Sequence, residues 1–183
     1  MSVASIRQRA DEIWPQQADA EMSDQRWSLL FLPGTYGTDA EPLQIKVGYY
    51  TEVADLGASP SDVVVNGKVE VYNRCLTDGP TQPYCVALNN FWHSLSNLTI
   101  AVNGTGQDGC RASANFWATS QASSLRRVDI RGGTLSLMDY CTEGPQLASD
   151  GYLADSRAGT VVNGSQQQWL TRNSEVGSWS NGV

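Results

Sequence analysis

Positive charge is scarce in this sequence. Lys and Arg number 12 against 19 acidic residues, a formal net charge of −7. Affinity for a phosphate backbone rests on Lys and Arg, so nucleic acid is excluded as an expected partner. Histidine is nearly absent, with His93 alone, and the four cysteines contain no Cys-x-x-Cys. Neither pattern has zinc-ligand spacing, and no metal or other cofactor is expected. No run approaches the roughly 18 to 20 apolar residues of a membrane span, so no membrane partner is expected either. Residues 1–14 lack both a basic flank with an apolar run and a small-residue cleavage site, so no signal peptide is visible. That leaves a cytoplasmic chain or one whose start has been trimmed. Low in Lys, acidic and bearing aromatics, the composition suits a secreted protein acting on a neutral polymer.

What is present is repetition. Asn90-Phe91-Trp92 returns 25 residues later as Asn115-Phe116-Trp117. The followers Ser94-Leu95-Ser96-Asn97-Leu98-Thr99-Ile100 return loosely as Ser124-Leu125-Arg126-Arg127-Val128-Asp129-Ile130. Self-similarity at roughly 20 to 50 residues marks stacked coils, each too small to bury its own apolar face. Four Asn-Gly steps separate short period-two runs such as Leu43-Gln44-Ile45-Lys46-Val47 and Leu98, Ile100, Val102. Leu29-Leu30-Phe31-Leu32 reads as a buried strand stopped by Pro33-Gly34. With no helical pattern between the strands, a doubly wound α/β fold is excluded. A parallel β-helix, a jelly roll and a sandwich stay open, and the echo favours the first.

Ile6, Ala10 and Ile13 lie at i, i+4, i+7, one apolar helical stripe that Ser2 or Ser5 could cap and Pro15 should interrupt. The fold expected is all-β: a single-stranded parallel β-helix over residues 28–183 behind a helical cap over 1–27. It stops abruptly after Asn181-Gly182. An uncapped edge invites association. The expectation is therefore an incomplete β-helix that continues in a longer protein or pairs through its C-terminal edge. The cysteines could form two disulfides, Cys75–Cys85 closing a loop and Cys110–Cys141 linking neighbouring coils. Other pairings, or four reduced thiols, remain alternatives.

Leu32-Pro33-Gly34-Thr35-Tyr36 resembles the strand-turn that opens many pectate-lyase-like right-handed β-helices. Residues 47–57, followed by Val63-Val64-Val65-Asn66-Gly67, resemble their next coil. Gln167-Gln168-Trp169-Leu170-Thr171-Arg172-Asn173 is similar to a strand of glycoside hydrolase family 55, exo-acting β-1,3-glucanases built from two tandem β-helices, with Trp169 where Phe is usual. The chain also looks like the N-terminal part of larger actinobacterial secreted β-helix proteins, some labelled adenylyl cyclase. For that label the sequence offers no Gly-rich phosphate loop and no paired metal-binding aspartates. The resemblance implies a polysaccharide or oligosaccharide partner and a second β-helix half. It also implies a general acid drawn from that second half, with Gln167 and Gln168 here in the supporting polar network.

Glycoside hydrolysis usually needs two carboxyl groups flanking the bond. The candidates are Asp108, Asp129, Asp139, Glu143, Asp155 and Glu175. Stacking of coils could bring Asp139 to Asp155, or Asp155 to Glu175, so Asp139, Asp155 and Glu175 are the expected catalytic residues, against a reading as solvated surface carboxylates. Gln167, Gln168, Trp179, Asp108 and Arg111 are the expected substrate-binding residues. Trp92 and Trp117, at equivalent places in the echo, are expected to stack on each other in the core, leaving Trp179 as the sugar platform. His93 reads as a satisfied histidine beside the core. No Gly-x-Ser-x-Gly elbow supports serine chemistry. Two functions follow: a β-glucan hydrolase half, or a polysaccharide-binding or structural module without chemistry of its own.

Overall fold

A computed structural model of the chain describes residues 2–73, 75–76, 84–85, 90–142, 148–164 and 168–182, without the side chains of 75, 76, 84, 85, 181 and 182. Helix α1 (Val3–Gln17) comes first, its N-terminus capped by Ser2, whose hydroxyl accepts from the Ser5 amide at 3.1 Å. Ile6, Ala10 and Ile13 are buried, and Ile6 and Ala10 join one core with Phe31, Leu43, Ile45 and Val47. The helix therefore seals the end of the stack. Pro15 does not interrupt it; the helix runs two residues further. Its end is pinned instead by buried Gln17, whose Nε2 donates to the Tyr49 carbonyl at 2.6 Å and whose carbonyl accepts from the Tyr49 amide at 2.9 Å.

The strands are β1 (Trp27–Phe31), β2 (Gly34–Tyr36), β3 (Leu43–Lys46), β4 (Thr51–Asp55), β5 (Val63–Glu70), β6 (Cys75–Leu76) and β7 (Tyr84–Cys85). Then come β8 (His93–Val102), β9 (Ala114–Phe116), β10 (Ser123–Ser136), β11 (Asp150–Ala154), β12 (Arg157–Gly164), β13 (Gln168–Arg172) and β14 (Glu175–Gly182). Twelve join one sheet in which every ladder is parallel, and each strand pairs with one a coil away. That is a parallel β-helix. The two-stranded β6–β7 ladder stands apart and sets the Cys75 and Cys85 backbones opposite each other; their side chains lie outside the described ones.

Each coil has three faces. Face one is the series β1-β4-β8-β10-β11-β13. Face two begins with β2 paired to β5 and continues through the second half of β8, the middle of β10 and the starts of β12 and β14. Face three holds β3 on the end of β5, then β9 and the ends of β10, β12 and β14. Inside, aliphatic side chains stack rung on rung. Leu29, Val53, Leu95, Leu125 and Leu153 form one ladder, and Val65, Ile100, Ile130, Ala158 and Val176 another. Period-two alternation lets each strand give one side to this column and the other to solvent. In β1, the terminal strand of face one, Leu30 is 52% exposed, so the Leu29–Leu32 run is half-buried rather than buried.

Where a coil turns, the backbone goes left-handed. Tyr50, Trp92 and Ala122 (φ 53°, 62° and 52°) occupy equivalent places just before face one. Asn97, Arg127, Asp155 and Asn173 (φ 57°, 55°, 52° and 47°) stack at the corner between faces one and two. The ladder therefore sets Trp92 level with Ala122 and not with Trp117. Trp117 is fully buried and bridges Val71, whereas Trp92 is 52% exposed. The two tryptophans do not stack on each other. The looser part of the echo is the true register: Ser94 faces Ser124, Leu95 faces Leu125 and Ile100 faces Ile130.

Candidate functional site

The corner between faces one and two carries a groove of about 380 Å³ whose wall includes Asp129, Asp155, Glu175, Arg131, Arg157 and Asn173. The register builds it. Asp155 and Asn173 stack in the left-handed column, while Asp129, Arg157 and Glu175 stack in the column two residues on. Stacked identical charges would repel, so the second column alternates in sign. Each carboxylate has an arginine: Asp129 with Arg131 at 2.6 Å, Asp155 with Arg126 at 3.3 Å and Glu175 with Arg157 at 3.0 Å. Hydrogen bonds from Asn173 and Arg126 hold the Asp155 carboxyl below the usual range, so it is ionised at neutral pH. The Asp155–Arg126 and Glu175–Arg157 pairs are exposed, so they contribute little stability. Asp155 and Glu175, expected to share a face, do line one groove.

Asp139 stands elsewhere. Its side chain is fully buried and accepts from Arg111 Nη2 on both oxygens (3.0 and 2.8 Å), from Thr142 Oγ1 at 2.6 Å and from the Cys141 amide at 3.1 Å. The neighbouring Cys110–Cys141 disulfide is formed, with Cα atoms 5.8 Å apart. Arg111 also lies 3.7 Å from Asp108 and over the Tyr72 ring at 4.7 Å. These contacts make Asp139 and Arg111 a clamp beside the disulfide, with Asp108 closing the same turn through the Arg111 amide at 2.9 Å.

Trp179 sits opposite Val161, which sits opposite Leu135, both buried. The column is an inward one, and Trp179, on the terminal strand of its face, is 42% exposed. Gln168 is exposed opposite Asp150 on face one. Trp169 packs on Gly151, where any Cβ would collide with its ring. Gln167 and Glu143 lie outside the described residues. His93 is buried, with Nδ1 2.7 Å from the Gly48 carbonyl and Nε2 2.8 Å from Asn90 Oδ1. Burial lowers its pKa to about 4 against those two bonds, so it is a neutral core histidine.

Sequence reasoning passed over one cluster. Lys68 and Glu70 alternate with Val69 along β5, a pattern that ordinarily turns charge toward solvent, yet both are buried and lie 3.6 Å apart. The segment after Asn103 covers them: Lys68 donates to Gln107 and to the Arg111 carbonyl, and Tyr72 donates to Glu70. Desolvation lowers the Lys68 pKa and raises that of Glu70. Only the many polar residues of that loop hinted at it. Being closed to solvent, the cluster binds the loop to face three.

A second groove, about 370 Å³, opens at the start of face one between Trp27, Ser28, Tyr50, Glu52, Trp92 and Ser94. It joins exposed aromatic surface to hydroxyls and a carboxylate. No group of three or more His, Cys, Asp or Glu with metal-binding geometry occurs among the described residues.

No protein-family model matches the chain. It is 38% identical over 184 aligned residues to an exo-beta-1,3-glucanase of Streptomyces sp. (strain SirexAA-E / ActE). The likeness runs the full length of the chain. The chain spans 26% of that protein's length. Among solved structures it matches sacteLam55A from Streptomyces sp. SirexAA-E, with a TM-score of 0.77 at 36% identity over 97% of this chain and 28% of that one. A variant of sacteLam55A in complex with glucose matches with a TM-score of 0.70, again at 36% identity, over 96% of this chain and 28% of that one.

Proposed function

We propose that this chain is the N-terminal β-helix of a secreted glycoside hydrolase of the family 55 type, acting on β-1,3-glucan or a related polysaccharide together with a second β-helix half. The observation that carries this is the 38% identity, along the whole chain, to an exo-beta-1,3-glucanase. Secretion is supported by the Cys110–Cys141 disulfide, since such bonds persist in oxidising compartments. Within the chain, Asp155 and Glu175 are the carboxylates best presented to a ligand, in an open groove of stacked polar rungs. Ionised Asp155 suits a base or a stabiliser of positive charge, not a proton donor.

That same fact favours a second reading, in which the chain holds polysaccharide and the proton donor comes from elsewhere. A general acid needs a raised pKa, and the Asp155 carboxyl, close to Arg126 and Asn173, is shifted the other way.

The test is to incubate the purified 183-residue chain with laminarin, measuring released sugar and, in parallel, binding by calorimetry. Release that disappears in Asp155→Asn and Glu175→Gln assigns the chemistry to this chain. Binding without release assigns it the substrate-holding role. Neither release nor binding overturns the substrate-holding reading, and laminarin left uncleaved by the full-length protein overturns the hydrolase reading.

A further inference from the structure

We propose that the groove at the start of face one is a second carbohydrate site, in which the exposed ring of Trp92 seats one pyranose unit of a neutral glucan. The choice of glucan rests on the function proposed above; the site itself rests on geometry. Trp92 was expected in the core and is instead 52% exposed. Its backbone is left-handed (φ 62°), a conformation a bulky side chain adopts only under constraint from its surroundings. Neither buried area nor backbone preference accounts for a tryptophan at this place.

Its surroundings are prepared for a flat ligand. The Tyr50 ring stacks with Trp92, centroids 6.1 Å apart and planes 19° from parallel. Tyr50 is itself fixed, its hydroxyl donating to the Glu21 carbonyl at 2.6 Å and the Arg26 guanidinium lying 3.8 Å over its ring. Around this platform stand Ser28, Glu52, Ser94 and Ser124. Ser28, Glu52, Ser94 and Ser124 follow one another rung by rung in the ladder, Ser28 donating to Glu52 at 3.1 Å. A pyranose offers one face of C–H groups and a rim of hydroxyls. The aromatic pair takes the first; the serines and carboxylate take the second.

The occupant follows from what the groove is not. One cation and one anion line it, Arg26 and Glu52, so a charged polymer has no complementary field. The aromatic area is limited to Trp92 and the half-buried Trp27 and Tyr50, set among hydroxyls, and falls short of the contiguous patch a protein partner requires. A volume of about 370 Å³ is that of a small-molecule site.

The test is calorimetry with laminarihexaose and with glucose on the wild-type chain and on Trp92→Ala, Trp92→Tyr and Trp179→Ala, with circular dichroism to verify folding. Trp92→Ala should weaken hexaose binding about tenfold or more, while Trp92→Tyr, which keeps a flat ring, stays close to wild type. Trp179→Ala should leave binding unchanged, because that ring belongs to an inward column. Equal binding by wild type and Trp92→Ala overturns this site and leaves the glucan reading standing. If the wild type binds no β-glucan, the same proteins go onto an array of neutral glycans. Capture that is lost in Trp92→Ala upholds the site and overturns the glucan reading; no capture at all overturns the site.

Discussion

The two corners that bound face one use the same backbone device for different chemistry. Both turn the chain through stacked left-handed residues. The corner after face one fills that column with Asn97, Arg127, Asp155 and Asn173, and Asn and Asp tolerate the conformation through local hydrogen bonds. The corner before it uses Tyr50, Trp92 and Ala122, which have no such compensation. At the first kind of corner three of the four residues suit the backbone, Arg127 being the exception. At the second something else selects them. Corner side chains also leave the packed ladder, so substitutions there should affect binding more than folding.

The strongest test of that division sets the corner carboxylates against the buried one. Asp139→Ala removes the main partner of Arg111, along with the acceptors for Thr142 and the Cys141 amide. Breaking a buried ion pair typically costs about 3–5 kcal/mol, and urea unfolding should show a loss of that order. Asp155→Asn, at an exposed left-handed position that Asn also tolerates, should leave the unfolding midpoint nearly unchanged. Comparable losses in the two variants would mean that the corner column supports the fold after all.

The stack was legible in the sequence because its apolar side chains must recur rung by rung: the 94–100 and 124–130 segments align residue for residue in the ladder. The tripeptide echo misled because identity of residues is not identity of environment. Both asparagines do bridge coils from buried sites, Asn90 donating to the Ala118 carbonyl at 2.8 Å and Asn115 to that of Val69 at 2.8 Å. The tryptophans two residues on diverge, one onto a corner and one into the core. Asp155 and Glu175 were legible as coil neighbours, since only 18 residues separate their rungs. Asp139 was not, because its partner Arg111 comes from a loop whose path no periodicity encodes. The burial of Lys68 and Glu70 escaped for the same reason.

Behind the aromatic corner lies a pH dependence set between about 4 and 6.5, above the range in which Asp155 at the polar corner, its carboxyl held below the usual range, takes up a proton. His93 has its pKa lowered to about 4 in the fold, against about 6.5 in an unfolded chain. It is neutral in both states above pH 6.5. As pH falls from 6.5 through 4, only the unfolded chain gains the proton, so stability is lost across that window. The shift corresponds to a loss on the order of 3 kcal/mol. Urea unfolding of wild type and His93→Gln at pH 7.5 and 4.5 checks this: the variant should lose distinctly less stability between the two. Parallel losses would show that the lowered pKa does not govern acid stability, since the carboxylates titrate equally in both proteins.

The smallest effect is the most direct measure of the difference between the corners. Ala122 has a left-handed backbone at the aromatic corner and Asn173 at the polar one. A left-handed alanine costs roughly 1–2 kcal/mol from the Cβ clash with its own carbonyl, while glycine escapes that clash but loses more freedom on folding. Ala122→Gly should therefore raise stability by up to about 1 kcal/mol. Asn173→Gly removes no comparable strain and gives up the bond from Nδ2 to Asp155 at 3.3 Å, so it should be neutral or slightly destabilising. Thermal unfolding of the two variants should move in opposite directions or, at the least, separate by a degree or more. If both rise equally, asparagine at the polar corner is as strained as alanine at the other, and the selection of Tyr50 and Trp92 against backbone preference loses its contrast.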